Sequence, residues 1–139
     1  MDIGVAKEKF KQGLVEKVRE KVLAVRHQLE SFIAADPSFA RAMSPYGPTS
    51  SAPEIAMLMA RQSSKAGVGP MAAVAGAFSE IVGRLVSLYS SEVIVENGGD
   101  IYLRSSKARN IGMFAASSPF SNRIALKIKP YQTPLGICT

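Results

Sequence analysis

Residues 92 to 103, Glu-Val-Ile-Val-Glu-Asn-Gly-Gly-Asp-Ile-Tyr-Leu, constrain this chain more than any other stretch. Two runs rich in β-branched residues flank Asn97-Gly98-Gly99-Asp100. Asn and Gly tolerate the positive φ angles that tight hairpin turns demand. The pattern therefore predicts an antiparallel hairpin, 93–97 against 100–104, across a two-residue turn at Gly98-Gly99. Bare glycine backbone beside a short carboxylate also lets a ligand approach closely. A plain turn is the commoner use of such a sequence.

The chain before the hairpin reads as helical. Phe10, Leu14, Val18, Val22, Val25, Leu29 and Phe32 recur at steps of three and four, which predicts one long helix over 6–34. Asp36-Pro37 ends it, because the residue before Pro is pushed out of the helical region. Ser44 to Pro53, with three prolines, reads as an irregular loop and a candidate functional one. A second helix is expected over 53–66, carrying Met57 and Met59 as core filling. Gly67-Val68-Gly69-Pro70 breaks the chain, and Pro70 opens a third helix to about residue 89. The first half of that helix is almost devoid of side-chain bulk, so Ala72, Ala73, Ala75 and Gly76 are expected to press close to neighbouring backbone.

Strands follow at 110–116, 123–129 and 135–139. In 123–129, Ile124, Leu126 and Ile128 alternate with Arg123, Lys127 and Lys129, which predicts one core face and one basic face. Helices followed by consecutive strands indicate an α+β domain, three main helices packed on an antiparallel sheet. At 139 residues the chain is long enough for one domain with a real core.

Charge and composition narrow the chemistry. Residues 1 to 30 hold seven basic and five acidic side chains, whereas residues 100 to 130 hold six basic residues against Asp100 alone. Such a basic segment suits a phosphate-bearing ligand, or simply a solvated face. Its aromatics are few and no nucleic-acid motif accompanies it, which disfavours nucleic acid. No apolar run approaches a membrane span. One cysteine, Cys138, in an apolar context reads as a small buried side chain, and the lone His27 supports no zinc or Cys-His site. A reducing cytoplasm is the expected compartment. Glu92 and Glu96 default to surface solvation. Gly69, Pro70 and Met71 stand at a helix start, where backbone N–H groups form a natural anion site, although Gly and Pro also mark simple helix boundaries.

The segments Gly-Val-Gly-Pro-Met-Ala-Ala-Val-Ala-Gly-Ala (67–77), Val-Ile-Val-Glu-Asn-Gly-Gly-Asp-Ile-Tyr-Leu (93–103), Ser-Pro-Phe-Ser-Asn (118–122) and Leu-Gly-Ile-Cys-Thr (135–139) resemble an uncharacterised prokaryotic family related to the ApbE-type flavin transferases. The resemblance covers nearly the whole chain. It implies the fold of enzymes that bind flavin adenine dinucleotide and move its flavin mononucleotide half onto a protein Ser or Thr with magnesium. On that resemblance Asn97, Gly98, Gly99 and Asp100 match the Gly-Gly-Asp turn near the flavin, and Gly69, Pro70 and Met71 lie beside it. Flavin nucleotide and magnesium are cofactors by resemblance only. The family's magnesium-ligating Asp and Thr fall beyond Thr139, so the single domain over 1–139 is expected to be incomplete relative to the family, and no catalytic or metal residue is assigned.

The expected function is binding of a flavin or other phosphorylated nucleotide at the Gly-Gly-Asp turn, with catalysis left open. The alternative is a non-catalytic assembly protein whose exposed sheet edges form homo-oligomers. Self-association, or association with a missing C-terminal segment, is expected in either case.

Overall fold

A computed structural model describes residues 3–7, 12–121 and 123–138. Phe10, Asn122 and Thr139 lie outside the described residues. The element order is β1 (Ile3–Lys7), α1 (Gln12–Ala35), α2 (Pro37–Arg41), α3 (Glu54–Ala66), a 3-10 turn (Pro70–Ala73), α4 (Val74–Ser87), β2 (Val93–Asn97), β3 (Asp100–Arg104), β4 (Arg109–Gly112), β5 (Ala125–Ile128), a 3-10 turn (Pro130–Gln132) and β6 (Leu135–Ile137). This is an α+β arrangement with antiparallel strands throughout.

The hairpin forms in the predicted register. Asn97 pairs with Asp100, and Gly98 and Gly99 take φ angles of 61° and 100°. Glycine occupies two successive positive-φ positions without strain, so this turn fixes the pairing of every later residue in β2 and β3. The four-stranded sheet runs β1-β2-β3-β6. Helix α4 lies across β2 and β3. Val82 and Val86 of α4, Leu14 of α1, and Val93, Val95 and Tyr102 of the sheet form one core cluster. A second cluster joins Val25 and Leu29 of α1, Phe39 of α2, Ile55, Leu58 and Met59 of α3, and Phe78 and Ile81 of α4. The rings of Phe32 and Phe39 meet edge to face at 5.1 Å, which seats α2 against α1.

Three expectations change. The helix predicted over 6–34 begins at Gln12, and residues 3–7 form a strand paired with β2. Ile3 and Val5 lie opposite Asn97 and Val95, and both pack on the sheet's core cluster. Five residues are too few for their alternation to stand out in sequence, and a partner 90 residues away supplies the ladder. The expected core face of 123–129 is mostly open: Ile128 is buried at 8% exposure, but Ile124 and Leu126 are 44% and 47% exposed. Among the described residues, strands β4 and β5 form a separate two-stranded sheet without extensive helix contact. Of the methionines in α3, Met59 is buried and Met57 is exposed.

The expected close approach of the third helix lies elsewhere along it. Ala72 is exposed, and Gly76 faces side chains, not backbone. The tightest contact is one turn from the helix end, where a Cβ on Gly83 would stand 2.0 Å from Cδ1 of Tyr102. Helix and strand approach to a distance that only glycine permits. At the other end, a Cβ on Gly69 would stand 1.7 Å from the Ala42 carbonyl oxygen. These two glycines set how α4 and its leading turn sit in the fold. Gly83→Ala forces the buried Tyr102 ring out of place, an overpacking that costs about 1–3 kcal/mol. The expected outcome is a clearly lowered melting temperature by circular dichroism, and an unchanged melt shows that the ring has room to move.

Candidate functional site

The small residues of α4 leave space where the helix crosses β3 and β6. Tyr102 and Gly136 are register partners and so share a face of the sheet, the face that Tyr102 turns toward α4. Gly136 offers no side chain there, and nothing stands within 4 Å of a Cβ built on it. Opposite are Ala73, Gly76 and Ala77. The result is a cavity of about 310 Å³ lined by these residues with Gln62, Glu80, Ile101, Tyr102, Leu135 and Cys138. Its walls are mostly apolar, and its hydrogen-bonding groups are the Gln62 amide, the Glu80 carboxylate and the Cys138 thiol. That balance is typical of small-molecule sites.

The Asn97–Asp100 turn closes onto the same end of α4. Asn97 is buried and its Nδ2 donates to the Ala75 carbonyl at 3.2 Å. The hydroxyl of Ser79, also buried, donates to the Asp100 carbonyl at 3.1 Å. Gly99 N–H donates to Oε1 of Glu96 at 2.7 Å. The Asp100 carboxylate, itself buried, reaches the place where a Cβ on Gly76 would stand, with its Oδ2 3.3 Å away and the Cys138 Sγ 3.5 Å away. Asp100, Gly76 and Cys138 therefore meet at one end of the cavity. Burial, and secondarily the Asp100 carboxylate, push the Cys138 thiol above its ordinary range. It is thus held as a thiol, the poor form for nucleophilic attack. Cys138 is exposed as a residue, contrary to the buried position expected of it, because it lies past the end of the edge strand with only its sulfur turned inward.

Gly69, Pro70 and Met71 lead directly into α4, at the end where the turn docks. Their backbone is engaged otherwise. Gly69 N–H donates to the Met43 carbonyl at 3.0 Å, Pro70 is buried, and Met71 packs on the helical core. Gly98 is exposed at the tip of the turn. None of these four lines the cavity, nor do Asn97, Gly99 or Asp100, which stand beside it. Lining residues that were not chosen as site residues from sequence include Gln62, Glu80 and Gly136. Only Gly136 carried a signal, as an isolated glycine inside a strand, which marks a bulge or a close approach.

A larger cleft of about 640 Å³ opens on the other side of α3, walled by Tyr46, Gly47, Pro48, Met57, Arg61, Ser64 and Arg84 among others. The Ser44–Pro53 loop forms its outer wall, and Tyr46 is tied to Asp36 by a hydrogen bond of 2.9 Å. Arg84 lies in this cleft and pairs with Glu80, which lies in the smaller cavity. Arg84 also reaches Glu54 at 3.4 Å. The Glu80–Arg84 pair is thus the partition between the two spaces. Among the described residues, no group of three or more His, Cys, Asp or Glu side chains is placed to hold a metal ion.

A family described as AbpE bacteria matches residues 1–139. The chain belongs to that family. It is 39% identical over 129 residues to a UPF0280 protein of Methanosphaerula palustris, which covers 92% of this chain and 54% of the relative. A UPF0280 protein of Methanococcus vannielii is 41% identical over 129 residues, 91% of this chain and 52% of the relative. One from Methanoculleus marisnigri is 42% identical over 129 residues, 92% and 53%. The chain spans about half the length of the curated relatives it matches. The expected kinship with ApbE-type flavin transferases is overturned: the match is to this family and to UPF0280 proteins, and nothing in it points to a flavin transferase. The quoted segments misled because glycine-rich turns and small-residue helix starts recur wherever backbone must pack closely.

Glu92 departs most from its expected role. It is buried instead of solvated, and its carboxylate holds together the chain beyond β3. The Ser105 hydroxyl donates to it at 2.6 Å, Ser106 N–H at 2.7 Å, Arg109 at 2.7 Å, and the Ser106 hydroxyl as well. These donors, the Ser105 hydroxyl foremost, hold its pKa far below the ordinary 4.5. A depressed carboxylate contributes stability that is fully present above its unfolded pKa and is lost as pH falls below it. Acid therefore weakens the fold at this point from about pH 4.5 downward. Glu92→Gln leaves donors without a charged acceptor and costs about 1–3 kcal/mol at neutral pH. Its stability curve is expected to be flatter than the wild type's below that pH, measured by urea denaturation across a pH series. Equal acid slopes would show that another carboxylate governs.

Proposed function

We propose that this protein binds a nucleotide, or another small phosphorylated molecule, across the two spaces that the Glu80–Arg84 pair divides. The observation that carries the reading is the cavity between α4 and Gly136. It is walled by backbone and small side chains and edged by hydrogen-bonding groups. A flat heterocycle fits such a slot, with Gly76 and Gly136 leaving its faces room and Gln62 and Glu80 available to its polar edge. Glu80 accepts from ring N–H groups. Asp100, at the far end beside Gly76, is placed for a hydroxyl and would repel a phosphate. The anionic part of the ligand belongs instead on the side of Arg61, Ser64 and Arg84 in the larger cleft, where the cations are. The Asn97–Asp100 turn supports the slot by fixing Asp100 against α4. The single cysteine accords with a reducing, cytoplasmic setting for this activity. No reaction is part of the reading.

Filling the slot separates binding from folding. A Cβ on Gly136 meets nothing within 4 Å, so the side chain of Gly136→Leu starts into open space at the cavity. We expect Gly136→Leu to melt at or above the wild-type temperature while losing affinity for nucleoside mono- and diphosphates in calorimetry. Arg61→Ala is expected to weaken the phosphorylated ligands and leave the corresponding nucleosides unchanged. The reading fails if wild-type protein binds none of the panel, or if Gly136→Leu binds as tightly as wild type.

A further inference from the structure

Both faces of the four-stranded sheet are apolar, yet among the described residues α4 packs on only one. On the side away from α4 lie Ile94, Ile101, Leu103, Leu135 and Ile137, by alternation with the core-facing Val93, Val95 and Tyr102. An antiparallel sheet with one solvated face carries polar residues there. This one carries Glu96 as the exception in its two central strands; Leu103 is fully buried, and Ile94, Ile101, Leu135 and Ile137 are half-buried. The β4–β5 hairpin repeats the pattern. Ile111 pairs with Leu126, and Met113 N–H bonds the Ile124 carbonyl, so these four side chains share one face. Ile128 at its base is buried, while Met113, Ile124 and Leu126 stand open further along. A two-stranded sheet with its apolar face in water is marginal by itself. Phe114 and Phe120 beyond the strands are 78% and 63% exposed.

We infer that the helix-free face of the sheet and the apolar face of the β4–β5 hairpin are the docking surface for the half of the family polypeptide that lies outside the matched region. The curated relatives are about twice as long as their match to this chain, so each carries a comparable length of polypeptide for these faces to pack on. Covalent connection raises the local concentration of that segment far above that of a free second copy, which favours it as the occupant. The chemistry of the occupant follows from charge. Residues 101–139 hold six Lys or Arg and no Asp or Glu. Arg109 is held by Glu92, and Lys107, Arg123, Lys127 and Lys129 are exposed, with Lys127 on the hairpin face opposite Ile111 and Leu126. The covering segment is therefore apolar against the aliphatic face and acidic overall. The hairpin residues line neither cleft, whereas Ile101 and Leu135 of the sheet also edge the smaller cavity.

Backbone hydrogen exchange tests it with proteins as they exist: this chain, and the full-length Methanosphaerula palustris relative. In the relative, amides of the segment matched to β4 and β5 are expected to exchange at least about tenfold more slowly than in this chain, as covered backbone does. Light scattering on this chain, at the concentration used for exchange, is expected to show a monomer. Equal, fast exchange in both proteins overturns the inference, because the hairpin is then uncovered in the longer protein too. Slow exchange in both, with a dimer of this chain that Leu126→Glu dissociates, also overturns it and makes a second copy the occupant.

Discussion

The fold depends on how closely α4 approaches β3. Gly83 sits against the Tyr102 ring at a distance that admits no side chain, and this contact brings Val82 and Val86 down onto Val93 and Val95. Dispersion between atoms decays steeply with separation, so a helix held one methyl group further out forfeits much of this packing. The approach is anchored at the opposite end by Gly69 against Ala42 and by Asn97 donating to Ala75. The hairpin turn is thus a clamp on the helix as well as a link between strands. Its two positive-φ glycines keep Asn97 and Asp100 opposite each other, and both side chains point to the helix side.

The cavity is a by-product of the same arrangement. Close contact at Gly83 and small residues at Ala73, Gly76 and Ala77 leave α4 near the sheet but without bulk over Gly136. Interiors are otherwise packed to crystal-like density, so a void of this size beside hydrogen-bonding groups stands out. Glu80 and Arg84, one turn apart on α4, neutralise each other where the smaller space meets the larger. A ligand that spans both would exchange that pairing for its own polar contacts.

The far side of the molecule has the opposite character. There the carboxylate of Glu92 gathers Ser105, Ser106 and Arg109, and so ties the start of the β4–β5 hairpin to the sheet. One buried charge met by several donors is a rigid anchor, and one that acid releases. Beyond that anchor the hairpin extends with its apolar face open. An anchored base and an uncovered apolar arm are what a layered domain presents where a second layer is to be laid against it.

The sequence by itself determined the local pieces. The β2–β3 hairpin and its turn were legible because Asn-Gly-Gly-Asp admits few backbone conformations. The helical stripe from Leu14 to Phe32 and the break at Asp36-Pro37 were legible because periodicity and proline act over a few residues. The α+β class followed from the order of those pieces. What only the tertiary structure decided depends on residues far apart in the chain. β1 is a strand because β2 lies beside it, not because of its five residues. Glu92 is buried because donors from 13 to 17 positions onward fold back on it. Ile124 and Leu126 alternate like a core strand, but alternation states only that a strand has two faces; whether something covers one of them depends on other chain segments. The candidate site was half legible for the same reason. Asp100 was visible through its turn, whereas Gln62, Glu80 and Gly136 come from three separate elements. Their common cavity exists only once α4 has been set against β3 and β6.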